Sequence, residues 1–305
     1  MLRLRAIRNR TPAAEFGLLF VTVIWGVSFA ATKCAADQVT PAWILLTRFG
    51  PAAALLVPFA RKRPNRLCRA DLKAGLVLGL LNFLACELQT WGAKYTTAGN
   101  NAFLTTVYCV AVPFLDWAVR RRRPRAANIV SAFLCIAGVG LLSLRGNFSI
   151  QLGDLLSLGS GFAFALQIVV IGIVSEKRDP ILLTGTQCAF TALAALPVAL
   201  AEPFPATITL QAALSLVFLS LFATLLATLI QMVCQKYVAS SKASLIMSME
   251  SVFGCLSGVL FLGESLTARF LEGSALILTA ILLCEVKLPA RAAAAAVLPK
   301  NSAKK

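Results

Sequence analysis

Ten apolar runs, each close to the length of a bilayer crossing, dominate this 305-residue chain. They fall at 15–34, 42–60, 72–92, 98–119, 126–144, 153–174, 181–200, 210–234, 243–262 and 269–287. A hydrocarbon core about 30 Å thick needs roughly 20 apolar residues of helix. Inside it every backbone polar group must be satisfied within the segment, so runs of this length and spacing predict helices. With 58% hydrophobic and 14% charged residues, the chain is too apolar for a soluble globule. The expected fold class is an all-α integral membrane protein.

Charge supplies the orientation. With the N-terminus inside, the cytoplasmic segments hold four basic residues before the first run, six from Arg61 to Lys73 and five from Arg120 to Arg125. Lys177 and Arg178, Lys236 and Lys242, and five from Lys287 onward bring that side to 24. The other side holds Lys33, Lys94, Arg145 and Arg269, and Arg48 stays inside a run. A 24-to-4 split predicts ten spans of a multi-pass protein in the cytoplasmic membrane, with both termini cytoplasmic. The basic start followed by an apolar run imitates a signal peptide. That run has the length of a full span and no clear cleavage site follows it, so it is read as the first helix.

The net charge of +16 does not predict nucleic-acid binding, because the basic residues lie between apolar runs rather than on one face with interleaved aromatics. Nine cysteines contain no C-x-x-C pair and histidine is absent, so neither a metal site nor a disulfide framework is expected. No P-loop is present and no cofactor is expected.

The chain repeats itself. An offset of 139 pairs Pro41 with Pro180, Arg48 with Gln187 and Pro58 with Pro197; an offset of 142 then pairs Gln89 with Gln231 and Lys94-Tyr95 with Lys236-Tyr237. Five spans per copy is odd, so the second copy is expected upside down, a transporter architecture whose substrate site lies near the midplane. The expected units are 15–144, 153–287 and a cytoplasmic tail, 288–305.

Polar residues inside spans are the candidate site. Asn82, Cys86 and Gln89 form a seam on the third run, and the offset lays it on Thr224, Thr228 and Gln231. A shared cavity explains two such seams; hydrogen bonding between helices is the competing reading. Along the fourth run Asn101, Thr105, Tyr108, Val112 and Asp116 share a face, and the offset lays Tyr108 on Glu250. Glu250 shares a stripe with Ala243, Met247, Gly254 and Ser257, whose small members leave room beside it. An acid within a span is costly and usually faces a cavity or a partner. Glu87 faces the cavity or pairs with Lys94, and Arg48 snorkels outward or neutralises an acid. Asp116 is expected to pair with Arg120. Trp25 and Trp91 are placed at the cavity, and Trp43 and Trp117 in the aromatic belts. Pro58, Pro113 and Pro197 are expected as kinks or helix ends.

Trp25-Gly26-Val27-Ser28-Phe29 resembles the W-G-x-x-F signature of EamA-type transporters of the drug/metabolite transporter superfamily. Pro113 and Leu262-Gly263-Glu264 also match, and the similarity spans residues 15 to 287. Ser251 departs from the proline this family often carries after the glutamate of the ninth span. The resemblance implies a ten-helix carrier that exports metabolites, often amino acids or related solutes. The expected substrate-binding set is Trp25, Ser28, Asn82, Glu87, Gln89, Trp91, Tyr108, Thr224, Thr228, Gln231 and Glu250. The expected partners are a small solute and the lipid bilayer. An intramembrane enzyme lacks a visible nucleophile with its base or a metal cluster, and a non-transporting membrane receptor is the alternative.

Overall fold

A computed structural model describes residues 2–63, 67–121, 123–143 and 150–285. The tail expected at 288–305 and the side chain of Arg120, with its expected pair to Asp116, lie outside the described residues.

The described residues form thirteen α-helices: α1 (Leu2–Ala36), α2 (Pro41–Arg61), α3 (Arg69–Tyr95), α4 (Ala98–Thr105), α5 (Tyr108–Arg120), α6 (Ala126–Ser143) and α7 (Leu152–Val174) open the series. There follow α8 (Pro180–Ala201), α9 (Leu210–Phe218), a π-helical stretch (Leu219–Leu226), α10 (Ala227–Cys234), α11 (Ser240–Met247), α12 (Glu250–Leu262) and α13 (Ala268–Glu285). No strand occurs among the described residues. Among the described residues seven stretches are long and apolar enough to cross a membrane: 11–36, 41–61, 98–119, 152–174, 180–201, 210–234 and 240–262, with a shorter apolar helix at 126–142.

The rods alternate in direction, as their end-to-end contacts require. At one end Arg178 bonds Asp71 at 2.9 Å, Arg63 lies 3.6 Å from Asp179, and Lys242 bonds Glu15 at 2.6 Å. At the other, Lys33 donates to the carbonyl of Thr96 at 2.6 Å, Gln38 to Thr209 at 2.8 Å, and Trp43 to the carbonyl of Glu202 at 3.1 Å. The first end carries Arg61, Lys62 and Arg63 and is called the basic end below.

Two rods are interrupted in the same way. The α4–α5 rod breaks at Thr106 and Val107, and the α11–α12 rod at Ser248 and Met249; every bound of the second pair lies 142 residues after the first. At both breaks the backbone tightens to three-residue bonds, Val107 to Leu104 and Met249 to Ile246. The hydroxyls of Thr106 and Ser248 bond back to the carbonyls of Phe103 and Leu245, competing with the helical ladder. Both rods end on a left-handed residue, Arg121 (φ 58°) and Gly263 (φ 65°). Glycine suits that cap; arginine holds it against its own Cβ.

The expected proline signals are placed differently. Pro113 sits within α5, past the break, and Pro58 and Pro197 lie inside α2 and α8 close to their C-termini. None of the three ends a helix.

Packing uses small residues, as membrane helices do. A Cβ on Gly138 would meet the carbonyl of Gly273 at 2.8 Å, and one on Gly273 the carbonyl of Gly138 at 3.0 Å, so α6 and α13 touch backbone to backbone. At the end away from the basic residues, Glu264 accepts from the amides of Ala98 (2.6 Å) and Gly99 (3.1 Å), and Thr97 accepts from Asn100. The Leu262-Gly263-Glu264 turn thereby caps α4, where backbone amides and the helix dipole favour an anion. Glu264→Ala is expected to lower stability by about 1 kcal/mol, read as a lower melting temperature in detergent.

Candidate functional site

The two breaks face each other. Tyr108 and Glu250 are the first residues of α5 and α12, and the Tyr108 hydroxyl donates to Glu250 Oε1 at 2.9 Å. Both side chains are buried. Tyr108 is the one hydrogen-bond partner of Glu250 among the described residues, which leaves the second carboxylate oxygen for the space beside it.

That space is a cavity lined by α1, α2, α3, α5, α7, the π stretch, α10, α11 and α12. Eight of the expected residues line it: Trp25, Ser28, Asn82, Gln89, Tyr108, Thr228, Gln231 and Glu250. Asn82 is fixed from two sides, donating to Thr191 at 3.2 Å and accepting from Gln167 at 3.0 Å. Gln231 donates to the sulfur of Met247 at 3.5 Å. Gln89 and Thr228 make no side-chain hydrogen bond among the described residues, so their polar groups are available to a solute.

The π stretch contributes through its backbone. A π turn pairs residues five apart and loosens the ladder locally. The carbonyl of Ala223 accepts from Trp25 Nε1 at 2.8 Å, tying α1 to the stretch. Arg48 Nε donates to Thr224 at 3.2 Å while Ser220 donates to the Arg48 carbonyl at 3.2 Å. Arg48 is 5% exposed, lies 5.5 Å from the centre of the Phe49 ring and lines the cavity. It meets no acid among the described residues, so neither expected alternative, snorkelling out or neutralising an acid, describes it.

Three expected residues lie outside the lining. Thr224 is occupied by Arg48. Glu87 accepts from Trp91 Nε1 at 3.0 Å, and Lys94 sits 5.4 Å from the centre of the Trp91 ring, so the indole stands between the acid and the lysine named as the alternative to a place at the cavity. Trp91 stacks on Tyr95, with ring centres 5.9 Å apart.

Other expectations are redistributed. Asn101 donates to the Gln89 carbonyl at 2.8 Å and Thr105 to Asn101 at 3.3 Å, so the upper part of that seam joins helices. The room expected beside Gly254 and Ser257 is filled by neighbouring helices. A Cβ on Gly254 would meet Ala102 at 2.6 Å and the Phe29 ring at 3.0 Å, and Ser257 donates to the Gly26 carbonyl at 3.0 Å. Trp43 lies near a helix end, edge-on to Phe204 at 5.0 Å, and Trp117 is largely exposed. Gln167, Phe164 and Ile168, all on α7, line the cavity without having been singled out; Gln167 inside an apolar run was the available signal.

The cavity is sealed on one side. Toward the basic end Leu18, Val112, Ala243 and Ile281 are buried in one packed cluster. Toward the other end Glu87, Gln89 and Trp91 are half-buried.

An all-helical bundle of apolar rods around a cavity with several polar residues in its lining defines a multi-pass membrane protein. The chain belongs to the EamA-like transporter family, whose model matches residues 13–144 and again 151–285, and it is a membrane transporter by that membership. It is similar to an uncharacterized transporter of Archaeoglobus fulgidus, 31% identical across 90% of this chain and 86% of that protein. It is also similar to the uncharacterized transporter YvbV of Bacillus subtilis, 29% identical across 94% of this chain and 96% of that protein. A solved crystal structure of a protein shares the fold, with a TM-score of 0.67, 16% identity, and coverage of 90% of this chain and 96% of that one.

Proposed function

We propose that the chain is a secondary transporter, working as an exporter, that moves a small metabolite such as an amino acid or related solute across the cytoplasmic membrane by alternating access. The observation that carries this reading is the cavity at the paired breaks, where side chains from both halves converge on Tyr108 and Glu250. In its lining, Glu250 offers an anion for an amino group, Arg48 a cation for an acidic group, and Gln89, Thr228 and Gln231 neutral hydrogen bonds. Trp25, Ser28 and Asn82 shape the walls. Glu87, Trp91 and Thr224 act behind or outside the lining. Coupling comes from a solute gradient or from protons carried through Glu87 or Glu250.

Alternating access rests on a ten-span, inverted-repeat reading, and the packing supports it. Helix α2 packs on α8 and α6 on α13, each against its own counterpart. The packing of α3 on α7 is matched by that of α9 and α10 on α1, and the packing of α1 on α11 and α12 by that of α7 on α4 and α5. In this arrangement the cavity faces away from the basic end: Gln89 is half-buried, whereas its counterpart Gln231 is 5% exposed. Rocking of the halves exchanges the two environments.

Counterflow of radiolabelled amino acids and related solutes in proteoliposomes tests the function. Accelerated exchange of at least one solute is expected; no exchange by folded protein would mark a non-transporting receptor. Orientation is tested by labelling single cysteines introduced beside Arg123 and Lys242, which are expected to react only from the cytoplasm. Reaction from outside would overturn the ten-span assignment.

A further inference from the structure

We infer that an acidic phospholipid binds in a groove between α2 and α8 at the basic end. The groove lies away from the central cavity and shares no lining residue with it. Its floor is apolar, with Leu56, Val57, Leu182, Phe190 and Leu193 among its lining residues. The glycine Gly185 opens it: a Cβ there would find only Leu56, at 3.7 Å, so the width is set by the missing side chain. From Ala53 to Arg61 it runs eight residues along α2, about 12 Å at 1.5 Å per residue, enough for the upper part of an acyl chain.

The mouth carries two arginines, one of them beside an acid. Arg61 and Arg63 are the charged residues of the lining among the described residues. Arg61 is exposed and forms no ion pair among the described residues; Arg63, with a side chain 39% exposed, lies 3.6 Å from Asp179 Oδ2. An apolar slot at bilayer depth ending beneath two arginines suits a lipid whose tail fills the slot and whose phosphate meets the guanidinium groups. A neutral zwitterionic headgroup brings no net charge to offset Arg61.

The opposite end of the same helix pair makes the contrast. There Trp43 of α2 packs edge-on to Phe204 and donates to the Glu202 carbonyl, closing the α2–α8 seam with protein. At the basic end the seam is left for lipid. Because α2 and α8 come from different halves, a lipid held there sits where the halves move against each other.

The test is native mass spectrometry of the purified full-length protein in uncharged detergent, with phosphatidylglycerol, phosphatidylcholine and soluble glycerol phosphate as probes. The wild type is expected to retain phosphatidylglycerol over phosphatidylcholine by roughly fivefold for each arginine engaged. Glycerol phosphate alone should not be retained. Arg61→Gln, which breaks no ion pair among the described residues, should reduce the preference by about that factor. Gly185→Leu should lower retention of both lipids while leaving the arginines in place. Equal retention of the two lipids by the wild type, an undiminished preference in Arg61→Gln, or undiminished retention in Gly185→Leu overturns the proposal. So does retention of glycerol phosphate as firm as that of the lipid. Solute counterflow measured in parallel keeps this result separate from the transport reading, since groove variants that lose lipid yet still exchange solute leave the transport reading intact.

Discussion

Glu250→Gln is expected to lower transport by roughly ten- to a hundredfold while the protein still folds, since a hydrogen bond to a charged group contributes about 1.5–3 kcal/mol. The amide keeps the carboxylate's shape and still accepts from the Tyr108 hydroxyl at the break between α11 and α12. What it loses is the charge, and with it an amino-bearing solute's counter-ion and any proton passing through this residue. Uptake into inside-out vesicles, read beside expression and the melting temperature in detergent, decides the matter. Wild-type rates with unchanged pH dependence would make Glu250 structural. Collapse of the melting temperature together with transport would say the same. Tyr108→Phe separates the two contributions: it removes the hydroxyl partner while keeping the carboxyl group, and a smaller loss is expected.

Gly26→Ala should be a damaging substitution for a single methyl group, because it lies where α1 crosses α12 beside the cavity. The new Cβ would fall on the Cβ of Phe253, 2.9 Å from the backbone carbon of Phe253 and 3.0 Å from the nitrogen of Gly254. Backbone cannot swing aside as a side chain does, so α1 and α12 must separate, at about 1–3 kcal/mol or more. The separation also pulls Trp25 and Ser28 away from Glu250 across the cavity. Thermal unfolding in detergent should show a clear drop, with transport falling further than stability alone explains. Gly50→Ala is the internal control, because nothing lies within 4 Å of a Cβ there. A helical glycine replaced by alanine in open space gains about 0.5–1 kcal/mol. Equal behaviour of the two variants would show that close approach at Gly26 is unimportant.

Helices were legible because hydropathy and length report the bilayer's demand directly. The positions 15–34 and 42–60, for example, fall within α1 and α2. Tyr108, Glu250, Asn82, Gln89, Thr228 and Gln231 were legible because a polar group in an apolar run is conspicuous. The breaks were not. Proline and glycine are the usual sequence marks of a kink, and neither stands at 106–107 or 248–249. Serine and threonine hydroxyls bend the rods there, and such residues are common in helices that stay straight. Ser251, standing where the related pattern has proline, shows the point: its hydroxyl bonds the Ser248 carbonyl at 2.8 Å, and the interruption is present without the ring. Glu87 was misplaced for another reason. Helical spacing put Lys94 on its face, but spacing is blind to Trp91, which lies between them and takes the hydrogen bond.

The π-helical stretch from Leu219 to Leu226 makes the number of residues, and not only their kinds, part of the cavity. A π turn is an extra residue that a helix has absorbed. Striking out one codon within these eight would let the rod regain ordinary pitch while the residues on either side keep nearly the faces they now show. Thr228 and Gln231 would still face the cavity, but the loosened turn whose Ala223 carbonyl holds Trp25 would be gone. Hydropathy, charge and reading frame would all survive such an edit, yet the cavity wall at Trp25 would not. In a lineage descended from this chain, the tally of residues between Leu210 and Gln231 is therefore as heritable a part of the cavity as any side chain in it.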